Sequence, residues 1–599
     1  MKSLSAAILA AALVISACSG GQDDGATSAG PDEAVDTSAQ LAALFDEQFE
    51  RNLELNPLAA TSIGDDRYDD RMAISNSQEY RDADKALDEE FLARLLEFDR
   101  NALEYQDQLS YDIFKIRLEQ SLERNQFPFH LQPTNQFRLM TNFFVQLGSG
   151  SSMHPFKTVK NYDDWLSRAD DIVTNLDISI ENMKEGVRAG VVQPKVLMVK
   201  VTPQIQAHIV DSAEESNFWM PITNMPDDFS DEDRERLTAA YKDAIENKFI
   251  PAFERLNNFI GDDYIESSRD TVGLGDQPNG AAWYQYMVKL RTTTDMTPDE
   301  IHQIGLDEVA RIHDEMRSVI AEVGFEGDLQ EFFEYTNSDD QFYFDEAEDL
   351  IQGYRDMSAD IEEKAKSLFD VAPNTAFEVR RVEPFREASA SGGSYSSGTP
   401  DGSRPGVFYA NAYDIKARPK WAMESLFLHE AIPGHHFQIS LQRENESLPE
   451  FRRFGGFTAY SEGWGLYAET LGKELGVYTD PYQYFGALNA ELWRAIRLVV
   501  DTGLHAKGWS RQDVLDYMYA NSAIAPAKAI SEAERYMAIP GQALAYKIGQ
   551  LKIRELRNLA EERLGDAFDV KAFHLEILKD GPMPLSMLHS KVERWIDAQ

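Results

Sequence analysis

The sequence predicts a large, mainly α-helical protein with one small β element. Apolar residues recur three and four positions apart over most of the chain, which places them on one face of a helix. An alternating stretch between residues 376 and 415 interrupts this pattern, and a histidine-rich helix follows it. A chain of 599 residues with 43% hydrophobic content is long enough to bury a sizeable core.

The first 17 residues have the pattern of a secretory signal peptide. Lys2 precedes an apolar run over residues 6–15, which is too short to cross a bilayer as a stable helix. The sequence ISAC at 15–18 resembles the bacterial lipobox, in which the cysteine is lipidated and becomes the mature N-terminus. A plain signal peptide is the alternative, and it is disfavoured because Cys18 is the single cysteine. We therefore expect a membrane anchor on Cys18 and no thiol in the folded part.

Residues 18–38 are predicted to be the lipidated cysteine and a flexible tether. The stretch after Cys18 is rich in Gly, Ser, Asp and Ala and has no apolar period. Ser19 stands where some bacteria place the aspartate that retains a lipoprotein in the inner membrane. We therefore expect a lipid-anchored protein of the cell envelope, in the outer membrane, with its soluble body on the periplasmic side or the surface.

The charge of the chain excludes one class of partner. There are 102 acidic and 58 basic residues, giving a formal net charge of -44. Nucleic acid binding requires a clustered basic face, and the sequence contains no such cluster. Solubility and low self-association explain this acidity best. The sequence does not indicate an oligomeric state.

Amphipathic runs predict the helices. They occupy 79–125, 161–188, 229–260, 297–323 and 341–368, with prolines and glycines in the connections. The segment 261–296 is the candidate boundary between a helical scaffold lobe, 39–290, and a catalytic lobe, 291–599.

The β element is predicted from two alternating stretches. AFEVRRVEPF (376–385) and VFYANAYDI (407–415) are typical strands, and the glycine-rich segment between them is expected to be a hairpin tip or an active-site lid. It is not a phosphate cradle, because no Gly-Lys-Ser/Thr follows. The second strand, with Tyr409 and Asn411, is a candidate edge for binding a substrate backbone by strand addition. An ordinary sheet strand is the alternative.

The stretch LFLHEAIPGHHFQ (426–438) carries the candidate metal site. His429 and Glu430 match the start of the zinc-protease motif H-E-x-x-H, but Pro433 stands where the second histidine belongs. A proline ends the regular helix, and Gly434 permits a bulge of two residues. Such a bulge returns His435 to the expected ligand position, although His436 stays open as the ligand. A pair of surface histidines after a broken helix is the alternative.

A third ligand is expected from a second helix some distance downstream. GGFTAYSEGWGLYAETLG (455–472) lies at that distance, and Glu462 is our third ligand. Glu469, two turns further on, is expected to support the ligands or to form a salt bridge, and His436 is also assigned to this supporting group. Two histidines and one glutamate around Zn²⁺ leave one position open for water.

Several separated motifs resemble one family. HEAIPGHH, SEGWGLYAE, RLVVDTGLH, ERYMAIPGQALAYKIGQLKI and DGSRPGVFYAN together resemble the bacterial domain of unknown function 885. Those proteins look like distant relatives of the H-E-x-x-H oligopeptidases. The resemblance implies a zincin-like helical architecture with a deep cleft and a zinc-dependent peptidase-like activity over most of the mature chain.

Polar residues in two of these motifs are further candidates. Arg494, Arg497, Asp501 and His505 share one helix face. Asp501 is expected to accept the second N–H of a metal-binding histidine, and His505 to donate to an oxyanion. A structural ion-pair network is the alternative.

Tyr546 is the preferred donor to the tetrahedral intermediate, since a preorganised hydroxyl stabilises developing charge. Gln542 lies near it in the sequence and is a candidate substrate contact. Lys547 or Arg404 is expected to hold a substrate carboxylate. The alternative for Tyr546 is a purely structural role in packing.

These residues predict a zinc hydrolase that acts on peptide bonds in short peptides. Zinc lowers the pKa of water, Glu430 accepts the proton, and Tyr546 shares the charge of the intermediate. Two alternatives remain open: a non-catalytic envelope protein with a vestigial zinc site, and a metal-dependent amidase acting on other substrates. The intact Glu430 beside His429 favours an enzyme, because structural zinc sites are usually closed and rich in cysteine.

Overall fold

The protein is mainly α-helical, as predicted. The computed structural model describes residues 31–383, 387, 390–402 and 404–599, with side chains from residue 37 onward. Helices account for 68% of the chain and strands for 3%. The signal peptide and the lipidation site at Cys18 lie outside the described residues. Within those residues, every helix is too short or too polar to cross a membrane.

The N-terminal half consists of helices of very different lengths. Helix α1 begins at Pro31, inside the predicted tether, because proline suits the first helical position. The predicted run 79–125 is two helices, separated by a turn in which Asp99 caps the backbone N–H of Asn101. The helices are α1 (Pro31–Leu55), α2 (Pro57–Ile63), α3 (Gln78–Leu95), α4 (Tyr105–Arg124), α5 (Met140–Gly148), α6 (Val159–Ser167), α7 (Ala169–Ala189), α8 (Lys195–Met198), α9 (Val201–Gln206), α10 (Met220–Thr223), α11 (Asp231–Ala244), α12 (Ile250–Phe259), α13 (Ile265–Ser267) and α14 (Gly280–Thr292).

Three further helices lead to a small sheet. They are α15 (Pro298–Glu322), α16 (Leu329–Ser338) and α17 (Ala347–Ala365), followed by β1 (Phe377–Arg381), β2 (Gly393–Ser396) and β3 (Gly406–Ala410). The strand order is β1-β3-β2, with β3 parallel to β1 and antiparallel to β2. The segment predicted as a loop therefore supplies β2. A Cβ on Gly393 would lie 2.9 Å from the Phe408 ring, so glycine permits the close pairing of β2 with β3.

The expectation that β3 is an edge strand is wrong. Its backbone groups pair with β1 on one side and with β2 on the other. A substrate strand therefore has no free edge on β3, and the edges of this sheet belong to β1 and β2.

The C-terminal helices carry most of the sequence motifs named above. They are α18 (Met423–Glu430), α19 (His435–Glu444), α20 (Glu450–Arg453), α21 (Thr458–Thr470), α22 (Pro481–Ala506), α23 (Arg511–Asn521), α24 (Pro526–Ala538), α25 (Ala545–Leu564), α26 (Val570–Leu578) and α27 (Leu585–Asp597). Helices α21 and α25 pack closely because two glycines meet there. A Cβ on Gly463 would lie 2.5 Å from the backbone of Gly549, and one on Gly549 would lie 1.9 Å from the carbonyl oxygen of Ala459.

One hydrophobic cluster connects the two predicted lobes. It contains Leu41 and Phe45 of α1 and Phe114 of α4, together with Phe427 of α18 and Trp464 of α21. The boundary predicted near residue 290 therefore does not divide the hydrophobic core. The helices that carry the candidate metal site are stabilised by packing against both ends of the chain.

Candidate metal centre

The break between α18 and α19 brings two histidines together. Helix α18 ends at Glu430, the Ile432–Pro433 peptide bond is cis, and α19 begins at His435. The indole N–H of Trp464 donates to the carbonyl of Pro433 at 2.8 Å. A Cβ on residue 434 would lie 1.9 Å from the carbonyl oxygen of His429, so only glycine fits. The rings of His429 and His435 consequently lie 4.7 Å apart, at 83° to each other.

His429, His435 and Glu462 converge on one point. Glu462 Oε2 lies 3.6 Å from His429 Nε2 and 3.3 Å from His435 Nε2. One ligand atom from each of the three residues lies within 4.8 Å of the other two. Ligands bonded at about 2.0–2.1 Å to a tetrahedral zinc ion are ~3.3 Å apart. The arrangement of these three donors therefore fits a small divalent cation.

The side chains of His429, His435 and Glu462 stabilise one another's charged forms. Burial lowers the pKa of His429, but the carboxylates of Glu462 and Glu469 more than offset it and raise the pKa to about 9. Burial raises the pKa of Glu462, and its hydrogen bonds with His429 and His435 hold it well below the usual range. This part of the structure therefore favours positive charge between the three side chains.

The imidazole of His429 is held from behind by Glu469. Its Nδ1 lies 2.8 Å from Glu469 Oε1, which leaves Nε2 for a metal ion. The hydroxyl of Ser425 donates to Glu469 Oε2 at 2.5 Å, and Arg494 Nη2 lies 3.2 Å from Oε1. Gly465 gives the ring its space, since a Cβ there would lie 2.8 Å from Cε1 of His429. The carboxylate is thus fixed on both oxygens.

Glu430 and Tyr546 lie beside the three ligands. Glu430 is buried at the end of α18, directly after His429. The ring of Tyr546 lies 6.3 Å from the ring of His429, at an angle of 19°. Burial and the neighbouring carboxylate of Glu462 raise the pKa of Tyr546 to about 12. Its hydroxyl therefore keeps its proton at neutral pH, and it accepts a hydrogen bond from Gln542 Nε2 at 3.2 Å.

Asp501 does not take the supporting role predicted for it. Its carboxylate accepts hydrogen bonds from the hydroxyl of Tyr284 at 2.6 Å and from the backbone N–H of Gly541 at 3.1 Å. Burial raises its pKa to about 7. Asp501 thus ties α22 to the turn before α25, and Glu469 supports the histidine instead.

His505 does not present a donor for an oxyanion. Its Nδ1 accepts from the backbone N–H of Leu274 at 2.9 Å, and its Nε2 donates to the carbonyl of Tyr536 at 3.0 Å. Burial lowers its pKa to about 3, so the ring is neutral and both nitrogens are used within the fold.

Lys547 is not available to a substrate carboxylate. Its Nζ is fully buried and lies 2.6 Å from Glu491 and 2.7 Å from Glu308. This ion pair joins α25 to α22 and α15, so the lysine is part of the helix packing.

The remaining candidates lie around the sheet. The amide of Asn411 is buried and donates to the carbonyls of Glu387 and Ala390, which makes it a loop anchor rather than a substrate contact. Tyr409 is half-buried on the middle strand, and Arg404 is half-buried with its backbone N–H bonded to the hydroxyl of Thr399.

His436 points away from the three ligands. Its Nδ1 lies 3.0 Å from the hydroxyl of Tyr395 on β2, and its ring contacts Phe377 on β1. Of the two adjacent histidines, His435 is therefore the one that joins His429 and Glu462.

The sequence analysis did not identify two residues that support the metal centre, Ser425 and Gly465. Ser425 lies four residues before His429 and Gly465 three residues after Glu462, so each shares a helix face with a ligand. This helical spacing could have identified both residues as neighbours of the ligands from the sequence. Helix-face counting nevertheless offers several candidates, and tertiary packing selects among them.

Neither of the two described cavities is formed by the three ligands. One of about 400 Å³ is lined by Arg81, Arg124, Arg138 and Trp283, among others. The other, of about 290 Å³, lies behind the centre and is lined in part by Glu469. The deep cleft implied by the family resemblance stays a prediction.

Fold and site together define a class of protein: a helical protein in which two histidines and one glutamate, contributed by α18, α19 and α21, form a cluster that could hold a metal ion. The chain belongs to the family of bacterial proteins of unknown function DUF885, whose model matches residues 57–592.

Two solved structures are similar over most of their length. A candidate lipoprotein from Colwellia psychrerythraea is 29% identical and has a TM-score of 0.85, covering 94% of this chain and 100% of its own. A candidate lipoprotein of unknown function from Shewanella oneidensis is 18% identical with a TM-score of 0.72, covering 92% and 99%. The second likeness concerns the fold alone. No curated protein matches the chain.

Proposed function

We propose that this protein is a zinc-dependent hydrolase that cleaves peptide bonds. The observation that carries the proposal is the convergence of His429, His435 and Glu462 with Glu430 beside them. Two imidazoles and one carboxylate form the ligand set of catalytic rather than structural zinc sites. The buried Glu430 next to a ligand is the expected general base of such a site.

Zinc, when bound, supplies a Lewis acid that lowers the pKa of water and polarises a carbonyl group. The residues of the chain do the rest. Glu430 accepts the proton of the attacking water and returns it to the leaving amine. Tyr546, protonated at neutral pH, donates its hydroxyl to the oxygen that gains negative charge. Glu469 keeps His429 in the tautomer that leaves Nε2 free.

The proposal includes a location. The lipobox-like sequence at Cys18 supports a lipid anchor, and both similar structures are of candidate lipoproteins. We therefore place the protein in the cell envelope, attached to the outer membrane. Labelling with a radioactive or alkyne-bearing fatty acid tests this: the label enters the wild type and is absent from Cys18→Ser.

The test of activity is a digest of mixed peptides read by mass spectrometry, with and without a chelator. We expect cleavage that the chelator abolishes and added zinc restores. Glu430→Gln should keep its zinc, measured by plasma emission, and lose ~10²–10⁴-fold in rate, because the proton acceptor is gone. Glu446→Gln is the matched control, since Glu446 is exposed just beyond α19.

Full turnover by Glu430→Gln would contradict the mechanism. If the wild type binds zinc and cleaves none of the peptides, the protein is not a peptidase. The zinc measurement separates that outcome from simple loss of the metal.

A further inference from the structure

The larger of the two described cavities is separate from the candidate metal centre. It has a volume of about 400 Å³, and none of the three metal ligands lines it. Its walls come from the first half of α3, the segment between α4 and α5, the first half of α14 and the end of α24. Pockets for small molecules typically have volumes of about 300–1,000 Å³, so this cavity can hold a small organic ligand.

Positive charge predominates in the wall of this cavity, although the chain carries a formal net charge of -44. Two acidic side chains line it, Asp82 and Asp84, against five basic ones, Arg81, Lys85, Arg124, Arg138 and Arg269. Lys85 is paired with Glu89 at 3.4 Å. In the described part of the chain, the four arginines have no carboxylate within 4.0 Å. Their charge is therefore open to a ligand.

The two acids of the wall do not form close pairs with these arginines. Asp82 accepts a hydrogen bond from the amide of Gln78 at 2.7 Å. Asp84 is half-buried and lies more than 4.0 Å from the guanidinium of Arg124. His130 also lines the cavity, and burial lowers its pKa, so its ring is neutral at pH 7. The wall therefore keeps an excess of positive charge.

The acids outside the wall compensate the arginines only weakly. Glu185 and Asp276 act on Arg81 and Arg269 respectively, but both acids are exposed, so water and salt screen them. Glu123, the neighbour of Arg124 in the sequence, is paired with Lys289 at 3.1 Å.

Two of the arginines are held by neutral acceptors. Arg269 donates from Nε to the carbonyl of Val192 at 3.0 Å and from Nη1 to the carbonyl of Gly273 at 2.8 Å. Arg81 donates from Nη1 to the carbonyl of Asn76 at 2.6 Å. These hydrogen bonds fix the guanidinium groups and leave their charge uncompensated. Carboxylate and phosphate groups are the anions that a guanidinium binds best.

Aromatic rings form another part of the same wall. The ring of Trp283 lies 6.1 Å from that of Phe127, at 17°, and 5.0 Å from that of Phe129, at 80°. The guanidinium of Arg124 lies 4.5 Å from the centre of the Phe129 ring. All four residues line the cavity, so a cation and an apolar surface lie side by side in it. A ligand that contacts both has an anionic group and an apolar body.

The wall also contains two buried donors that have no acceptor. Trp283 Nε1 and Gln277 Nε2 lack a hydrogen-bond partner among the described residues. The amide of Gln277 is oriented by Gln132, whose Nε2 donates to its Oε1 at 2.5 Å, and this leaves the nitrogen unused. A buried donor without an acceptor costs free energy. Both unsatisfied groups are donors, so they favour a ligand that brings acceptor oxygens.

We propose that this cavity binds a small organic anion, whose carboxylate or phosphate group contacts the arginines and whose apolar or aromatic body packs against Trp283, Phe127 and Phe129. The inference goes beyond the proposed function, because it concerns a second site that contains no metal ligand. It holds whether or not the metal centre is catalytic.

The test is a calorimetric titration of the full chain with matched probes. The anions with an aromatic body are 3-phenylpropionate and phenyl phosphate. The neutral probe is 3-phenylpropanamide, and the anions without a body are acetate and inorganic phosphate. We expect at least one aromatic anion to bind ~10-fold or more tightly than the amide and the small anions, about the value of one charge-assisted contact. Which aromatic anion binds tells carboxylate from phosphate.

Each titration is repeated after treatment with a chelator, because a carboxylate or a phosphate can also bind zinc. We expect the affinity to stay the same, since none of the metal ligands lines the cavity.

Substitutions assign the binding to the cavity. Arg124→Gln combined with Arg138→Gln should weaken it at least ~10-fold, because two charges are lost. Gln277→Glu should weaken it as much, since it keeps the acceptor for Gln132 and replaces the free donor by a negative charge. Arg188→Gln is the matched control and should bind within twofold of the wild type. Like Arg124, Arg188 is exposed in the last turn of a helix, but it does not line the cavity.

Five results overturn the inference: neither aromatic anion binds, the amide or the small anions bind as tightly, the chelator removes the binding, the double variant and Gln277→Glu both keep the wild-type affinity, or Arg188→Gln loses as much. Thermal unfolding without ligand shows that each variant is folded. None of these results bears on the chelator-sensitive digest, so the proposed function stands or fails separately.

Discussion

Gly465 offers a test of the metal centre that removes no ligand and no charge. It lies on α21, three residues after Glu462, and faces the imidazole of His429. A Cβ at this position would lie 2.8 Å from Cε1 and 3.0 Å from both ring nitrogens. Ordinary contacts between such atoms are about 3.5–4.0 Å. In Gly465→Ala, the ring or the helix must therefore move by roughly 0.5–1 Å.

The cost of this movement sets the expected effect. An additional methyl group in a well-packed interior costs about 1–3 kcal/mol. The ring of His429 is held by Glu469 on one side and by the ligand position on the other, so its displacement weakens metal binding. If the metal site bears the whole cost, the zinc affinity falls by roughly 5- to 150-fold, at 1.4 kcal/mol for each factor of ten.

The assay is a competition titration for zinc with a chromophoric chelator, combined with thermal unfolding of each metal-free variant. Gly456→Ala is the matched control, because Gly456 lies two residues before the start of α21 and has no neighbouring atom within 4 Å of an added Cβ. A Gly465→Ala protein that binds zinc within twofold of the wild type would refute the placement of His429 at the metal, whatever its melting temperature.

Three further predictions concern neighbouring groups. Glu469→Gln should weaken zinc binding by about 10–100-fold in the same titration, because the amide supports His429 without a charge. His435→Ala should lose the bound zinc and His436→Ala should retain it, as measured by plasma emission. Asp501→Asn should flatten the dependence of stability on pH. Since burial raises the folded-state pKa of Asp501 from 3.8 to about 7, the wild type loses ~4 kcal/mol as pH rises through that interval, and the asparagine variant does not. Urea unfolding at pH 5 and pH 8 measures the difference, and equal slopes for both proteins would contradict it.

The local part of the site was predictable from the sequence because its geometry is set by adjacent residues. His429 and Glu430 are neighbours, and Pro433 with Gly434 both ends α18 and permits the turn that brings in His435. Glu462 was predictable from its distance along the chain, since a helix that returns to the same place supplies the third ligand. These inferences needed no knowledge of the distant parts of the fold.

The predictions that were wrong concern residues whose contacts are with segments far away in the sequence. Asp501 and Glu469 are both acids on helices near the site, and only the approach of α21 to α18 decides which one reaches His429. Lys547 appeared free because its partner Glu308 is far away in the sequence. The central position of β3 was hidden because β2 comes from a segment of glycine and serine, which has a weak strand pattern.

The positive charge next to the centre is explained by the carboxylate that it contacts. Arg494 compensates Glu469, a carboxylate that the histidine needs in its ionised form, so this arginine is bound to the fold and breaking the pair leaves a buried charge.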